Sequence, residues 1–217
     1  MNRCYNKNTI FIFFQKISIP FALTIGIYNY FLIFKDIEIV YVLPLLLLSY
    51  FIADIISGAI HWIGDTFGDE STPLIGNNFI KPFRLHHIEP KLMSSISISE
   101  NLGSSFLLII VPEFLLLIFI NLKYEALNNI FFLCQNIFFF SALTNLFHRW
   151  AHGHKNKFSP IIRFLQKYHL ILNPIHHQKH HSGKYDKSFC VTNGWGNPIL
   201  DRIKFWSFLT KLVRKHH

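Results

Sequence analysis

Four apolar runs, each near the length of a bilayer crossing, restrict what this chain can fold into. They are Ile10–Phe34, Ile37–Ile60, Leu102–Ile120 and Ala126–Phe147. A hydrocarbon core about 30 Å thick takes roughly 20 residues of helix. In lipid each backbone N–H and C=O must be satisfied within its own segment, so such runs fold as helices. Gln15, Lys16 and Pro20 interrupt the first run, which places its spanning part at 17–34. The expected fold is an all-α membrane protein with about four transmembrane helices, 17–34, 37–60, 102–120 and 126–147. A histidine-rich tail, 148–217, completes a single domain. Only 15% of residues are charged, against about 25% in soluble domains. Arg3, Lys7 and Lys16 accompany the first run, and no small-residue cleavage pattern follows. It therefore reads as an anchor, not a removed signal peptide. It is not rich in Ser and Arg, which argues against a transit peptide.

Four crossings put both termini on one side, with the turns at Lys35–Asp36 and Asn121–Glu125 on the other. From Arg149 to His217 there are 13 Lys+Arg against 2 Asp+Glu; the first 148 residues hold 8 against 10. The positive-inside rule assigns the side of the tail to the cytosol. The basic tail suits anionic lipid headgroups or an acidic partner protein. No nucleic-acid motif accompanies the charge, so nucleic acid is not expected. Cys4, Cys134 and Cys190 lie far apart without Cys-x-x-Cys spacing. They imply neither a disulfide framework nor a zinc ribbon, and suit a reducing compartment.

The topology gathers histidines. His176-His177-Gln178-Lys179-His180-His181 places four imidazoles in six residues. His177 and His181 are one helical turn apart, as are His148 and His152. His61 ends the second run, and His86-His87 lie in the connection that follows. A His-rich tract can also be merely a solvated surface. Here, however, His61, His86, His87, His148, His152, His177, His180 and His181 all fall on one side of the membrane. Asp54, Gly58, His61 and Asp65 share one helix face. An ionisable group within a spanning helix usually faces an interior site, although Asp54 could also cap or pair locally. Glu113 is expected at a helix interface, without chemistry.

Eight imidazoles are too many for one zinc, which takes four ligands or three plus water. They suit two metal ions with open positions, and imidazole suits iron, zinc and copper alike. An iron pair could activate O2 beside the membrane, where acyl or alkyl chains are the substrates at hand. Asp54 and Asp65 are expected to orient ligand imidazoles through their other ring nitrogen.

Several motifs carry a resemblance. Ala53-Asp54-Ile55-Ile56-Ser57-Gly58-Ala59-Ile60-His61-Trp62 with Asp65-Thr66 resembles the opening motif of the plasmanylethanolamine desaturase family. Phe79 to Pro90 is similar to its second motif. His148-Arg149-Trp150-Ala151-His152 resembles its first histidine box, and His169 with His176–His181 its second. Phe189-Cys190-Val191-Thr192-Asn193-Gly194-Trp195-Gly196-Asn197 resembles its closing motif. The likeness covers roughly Leu45 to Trp206.

The resemblance implies a membrane-bound non-haem desaturase with two iron ions (Fe2+). It implies O2, a cytochrome b5-type electron donor and an ether glycerophospholipid, plasmanylethanolamine, whose 1-O-alkyl chain becomes the vinyl ether of a plasmalogen. It also implies an internal membrane, the endoplasmic reticulum. A related plastid branch, which acts on acyl chains, shares the eight histidines but not His169 or His176. Those eight are the expected ligands, with His169 and His176 as second choices. Where the family carries Thr-Arg-His or Thr-Arg-Arg after Pro90, this chain has Ser94-Ser95-Ile96, which removes positive charge beside the site. The alternatives are an acyl-lipid desaturase or hydroxylase on the same scaffold, or a non-catalytic zinc-binding membrane protein.

Overall fold

The computed structural model describes residues 9–73, 75–122, 127–153, 158–182 and 185–214. Arg3, Cys4, Lys7, the start of the fourth apolar run at Ala126, and residues 123–125 of the expected turn lie outside this set. The elements in chain order are α1 (Thr9–Ile33), α2 (Ile39–Thr66), α3 (Lys81–Ile88), α4 (Leu92–Ser95), α5 (Ile98–Asn121) and α6 (Asn128–His152). Four short helices follow: α7 (Pro160–Lys167), α8 (Pro174–Gln178), α9 (Asn197–Arg202) and α10 (Phe205–Arg214). The described residues contain no strand. α1, α2, α5 and α6 are long and apolar enough to cross a membrane.

Among the long helices α1 packs on α5, α5 on α6 and α6 on α2, and α1 also touches α6. Ala22, Phe106, Ile109 and Ala142 fill the junction of α1, α5 and α6. Ile33, Leu116, Phe131 and Phe132 fill a second junction toward the end of α1 and the start of α6. Apolar residues facing away from these cores, such as Ile27, Phe31 and Val111, are exposed. Such residues are suited to lipid, because in a bilayer helices associate through close packing and polar contacts, not through exclusion of apolar surface from water.

α1 begins eight residues earlier than its expected spanning part, and one of the residues that interrupt the apolar run, Gln15, is buried against α5 while Lys16 is exposed. Gln15 donates from Nε2 to Ser104 Oγ at 2.6 Å, and Ser18 Oγ donates to Gln15 O and Gly103 O. The contact requires glycine at 103: a Cβ there would lie 2.3 Å from the Gln15 carbonyl oxygen. Deeper in the bundle, Glu113 faces a helix interface as expected. Its Oε1 accepts from Gln135 Nε2 at 3.1 Å, while Asn29 Nδ2 donates to Gln135 Oε1 and to the Glu113 backbone carbonyl.

α2 and α6 both run past their apolar stretches, to Thr66 and His152. These last turns carry histidines out to where α3 and α8 cross them. α5 opens on a capping box, in which Ser97 Oγ accepts the Glu100 N–H and the Glu100 side chain returns to the Ser97 N–H. α8 is started by Asn173, whose Oδ1 accepts the N–H groups of Ile175 and His176, with Pro174 in the first turn.

Candidate metal centre

The end of α2 supplies His61 and Asp65, α3 supplies His86 and His87, and the end of α6 supplies His148 and His152. α8 and the turn after it supply His177, His180 and His181. The fold brings all eight expected imidazoles together, and sorts them into two groups. One is His86, His148, His152, His177 and His181; the other is His61, Asp65, His87 and His180. Within each group the donor atoms all lie within 4.8 Å of one another, and either group could hold a metal ion.

In the first group the Nε2 atoms face each other. His148 and His177 are 3.0 Å apart, His152 and His148 3.1 Å, His177 and His152 2.9 Å, and His181 and His177 3.0 Å. With metal–nitrogen bonds of about 2.1 Å, adjacent ligands sit about 3.0 Å apart at right angles and about 3.4 Å apart in a tetrahedron. The first group's spacing and its five imidazoles suit donors gathered around one ion. In the second group, Asp65 Oδ1 lies 3.2 Å from His87 Nε2, and Asp65 Oδ2 lies 3.5 Å from Nε2 of both His61 and His180. Both Asp65 oxygens, His61 Nε2 and His86 Nε2 are buried without a hydrogen-bond partner. Buried polar atoms left this way are costly unless something fills the space they face. A cation answers this need, so the donor set fits a metal.

The imidazoles are available as ligands. Burial, reinforced by the neighbouring imidazoles, holds His86 and His177 well below the ordinary imidazole value and brings His181 down to about 3. All three are therefore neutral at pH 7, the form that binds metal. Backbone carbonyls fix the ring orientations in the second group. His61 Nδ1 is 3.2 Å from Phe189 O, and His180 Nδ1 is 2.7 Å from Lys187 O. A proton on each Nδ1 leaves Nε2 as the free donor.

The two aspartates differ. Asp65 lies against His61, His87 and His180, because one turn on α2 carries it level with His61, and it could itself be a donor. Asp54 touches no imidazole. Its Oδ1 accepts the N–H groups of Thr192, Asn193 and Gly194, each at 3.0 Å, and its Oδ2 accepts that of Gly196 at 2.9 Å. A single carboxylate thus holds the turn that follows the Phe189 and Lys187 carbonyls. Ser57 Oγ accepts the Val191 N–H beside it. Gly58 lets the segment approach α2, since a Cβ there would lie 2.8 Å from Cys190 Sγ and 2.9 Å from Trp206. Cys190 is fully buried, and burial together with Asp54 and Asp201 pushes its thiol up, so it packs and does not react.

The second-choice positions lie apart from both groups. The His169 and His176 rings are 5.8 Å from each other. The His169 carbonyl accepts Trp195 Nε1 at 2.7 Å, and His176 Nδ1 faces Gly194. Arg149, between the two histidines of α6, donates to the carbonyls of Met93, Ser94 and Ile96. These carbonyls belong to α4 and the residue that follows it, in and next to the Ser94-Ser95-Ile96 stretch.

Sequence reading missed Asp201, which accepts both the N–H and the hydroxyl of Ser188 at 2.9 and 2.8 Å. It also missed the role of Asn197, which pairs with both the N–H and the carbonyl of Cys190. Asn197 lies in a Gly/Asn-rich stretch that signals a turn; nothing local marks Asp201.

Residues 50–217 match the family described as a lipid desaturase domain. The chain is 37% identical over 174 residues to plasmanylethanolamine desaturase of Myxococcus xanthus, covering 79% of this chain and 60% of that protein. It is 33% identical over 175 residues to plasmanylethanolamine desaturase 1 of Mus musculus, covering 75% and 61%. It is 36% identical over 157 residues to fatty acid desaturase 4-like 2, chloroplastic, of Arabidopsis thaliana, covering 70% and 53%. The chain thus spans about three-fifths of the length of the first two relatives. No solved structure matches it. With its family match covering the end of α2 and everything after it, the two donor groups included, this chain belongs to the lipid desaturase family.

Proposed function

We propose that the chain converts the 1-O-alkyl ether of a glycerophospholipid, plasmanylethanolamine, into the vinyl ether of a plasmalogen. The observation that carries this reading is the pair of convergent donor groups in the last turns of α2 and α6, two helices long and apolar enough to cross a membrane. His86, His148, His152, His177 and His181 would hold one iron ion and His61, Asp65, His87 and His180 a second; bound there, the metal would supply the O2 activation that breaking unactivated C–H bonds requires. The reaction balances as follows: one hydrogen leaves C1 and one leaves C2, giving two electrons and two protons. Two more electrons from a cytochrome b5-type donor and two protons from water complete the reduction of O2 to two waters.

The chain's own residues prepare the site. Neutral imidazoles present their Nε2 lone pairs inward. The Phe189 and Lys187 carbonyls hold His61 and His180 in the required tautomer, and Asp54 holds the segment that carries those carbonyls. Burial of His61, His148, His177 and His180 keeps water from the interior. The basic segment after α6 suits an acidic electron carrier by steering. We place the protein in the endoplasmic reticulum, with both termini cytosolic.

The decisive experiment is expression in cells lacking plasmalogens, where restored acid-labile vinyl ether lipid is expected. The likeness to the plastid fatty acid desaturases favours a second reading, desaturation of an acyl chain. A new acyl double bond without vinyl ether would establish that reading and overturn the first. One zinc per chain in place of two irons would overturn both.

A further inference from the structure

Tyr185 lies at the solvent side of the second donor group. Its ring centroid is 4.6 Å from that of His87, at 75°, and 6.3 Å from that of His180. It is nevertheless 41% exposed, so the ring stands between His87 and water. Behind the group, Phe83 and Phe189 flank His61 at 5.4 and 5.6 Å. Aromatic rings therefore bound this group on its inner side as well as toward water.

The backbone at Tyr185 is left-handed, with φ 52°. That region is unfavourable for any residue but glycine, and a bulky side chain stays there only when its surroundings hold it. The surroundings are on view. Ser188, three residues on, is left-handed as well, with φ 58°, and Asp201 fastens both its N–H and its hydroxyl. Between them, the Lys187 carbonyl is tied to His180 Nδ1 at 2.7 Å. A turn fastened at these two points delivers an aromatic ring onto His87 at its leading end. A glycine would adopt the same backbone with less strain but would leave His87 open.

We propose that Tyr185 is a positioning residue: its ring covers the His61, Asp65, His87 and His180 group and, by seating on His87, slows exchange of the ion held there. The contact is edge-to-face, ring against ring at 75°, so the cover depends on the ring and not on the hydroxyl. This inference rests on the two-ion reading above.

The test uses the full chain in lipid nanodiscs, loaded with ferrous iron without oxygen and then mixed with an excess of a coloured ferrous chelator. The wild type and Tyr185→Phe are expected to give up both ions slowly. Tyr185→Gly should release one of its two ions at least about tenfold faster, on the scale by which groups behind metal ligands alter affinity. Its melting temperature should be unchanged or raised, because glycine relieves the left-handed backbone. Release from Tyr185→Gly at the wild-type rate overturns the cover, as does Tyr185→Phe behaving like glycine or a lowered melting temperature in the glycine variant. A wild-type chain that binds fewer than two ions overturns the two-ion reading itself, and the cover with it.

Discussion

His86 and His87 are consecutive on α3, yet each serves a different donor group. The His86 ring stands 5.0 Å from those of His148 and His181, and the His87 ring 4.8 Å from that of His180. Consecutive helical residues point about 100° apart, so a vicinal pair can face two sites that a single histidine could not. His180 and His181 divide in the same way. Two vicinal pairs thus tie the groups into one centre.

This division predicts a distinction between neighbours. His86→Ala should lower metal content from two ions to about one by emptying the first group, and His87→Ala should do so by emptying the second. Each should reduce desaturation by more than roughly 100-fold, the upper range even for residues that only support a ligand. Metal analysis of the purified variants checks the stoichiometry. If both variants retained two ions, the division into groups would be wrong.

Asp54 and the turn at 192–196 are separated by about 140 residues of chain and joined by four N–H to carboxylate bonds. Hydrogen bonds to a charged acceptor contribute about 1.5–3 kcal/mol each, and they act here as a unit. Asp54→Asn keeps the shape but turns one acceptor into a donor facing N–H groups. We expect a loss of about 3 kcal/mol on that basis, with weakened metal retention although no metal-facing residue has changed. Chemical denaturation and metal content of Asp54→Asn, compared with His87→Ala, separate the two effects.

The long helices could be read from the sequence because apolar runs in lipid have few alternatives. The start of α1 could not: Gln15 looks like an interruption until Ser104 and Gly103 are placed beside it. That eight imidazoles converge was legible from spacing plus topology, since helical offsets and the count of crossings gather them. Their sorting into two groups was not, because it depends on how α3 and α8 are rotated against α2 and α6. Asp54 was placed on the right face with the wrong partner. A helical offset says which way a side chain points, not what waits there, and its partner lies in a turn whose position only the fold decides.

Acid should destabilise the metal-free protein through the same histidines. His86 and His177 are held well below the ordinary value by burial and then by their neighbours, and His181 is brought down to about 3. The unfolded chain takes up these protons near the ordinary imidazole value of about 6.5, whereas the folded chain resists. Stability is therefore complete above about pH 6.5 and is lost as pH falls toward the folded values. Bound metal competes with the same protons, so the loaded protein should lose its ions over the same acid limb. Denaturation midpoints measured at several pH values should show the slope, and His181→Gln should flatten it. A midpoint independent of pH between about 7 and 5 would contradict the neutral cluster.

The crossing of α1 over α5 offers a test far from the metal centre. A Cβ at residue 103 would meet the Gln15 carbonyl oxygen at 2.3 Å and its carbonyl carbon at 2.6 Å. Both are backbone atoms, so no side chain can swing aside to make room. Gly103→Ala must push the two helices apart and weaken the bonds from Ser18 Oγ to Gly103 O and from Gln15 Nε2 to Ser104 Oγ. Overpacking of this kind costs about 1–3 kcal/mol, and the polar pairs in the membrane contribute about 0.6–2 kcal/mol each. The expected result is a lower melting temperature in nanodiscs with the metal content of correctly folded protein unchanged, because α1 contributes no donor to either group. Ser18→Ala removes one hydrogen bond without adding an atom, and should fall between the wild type and Gly103→Ala. If Gly103→Ala melted at the wild-type temperature, the close α1–α5 approach would not be a feature of the protein in its bilayer.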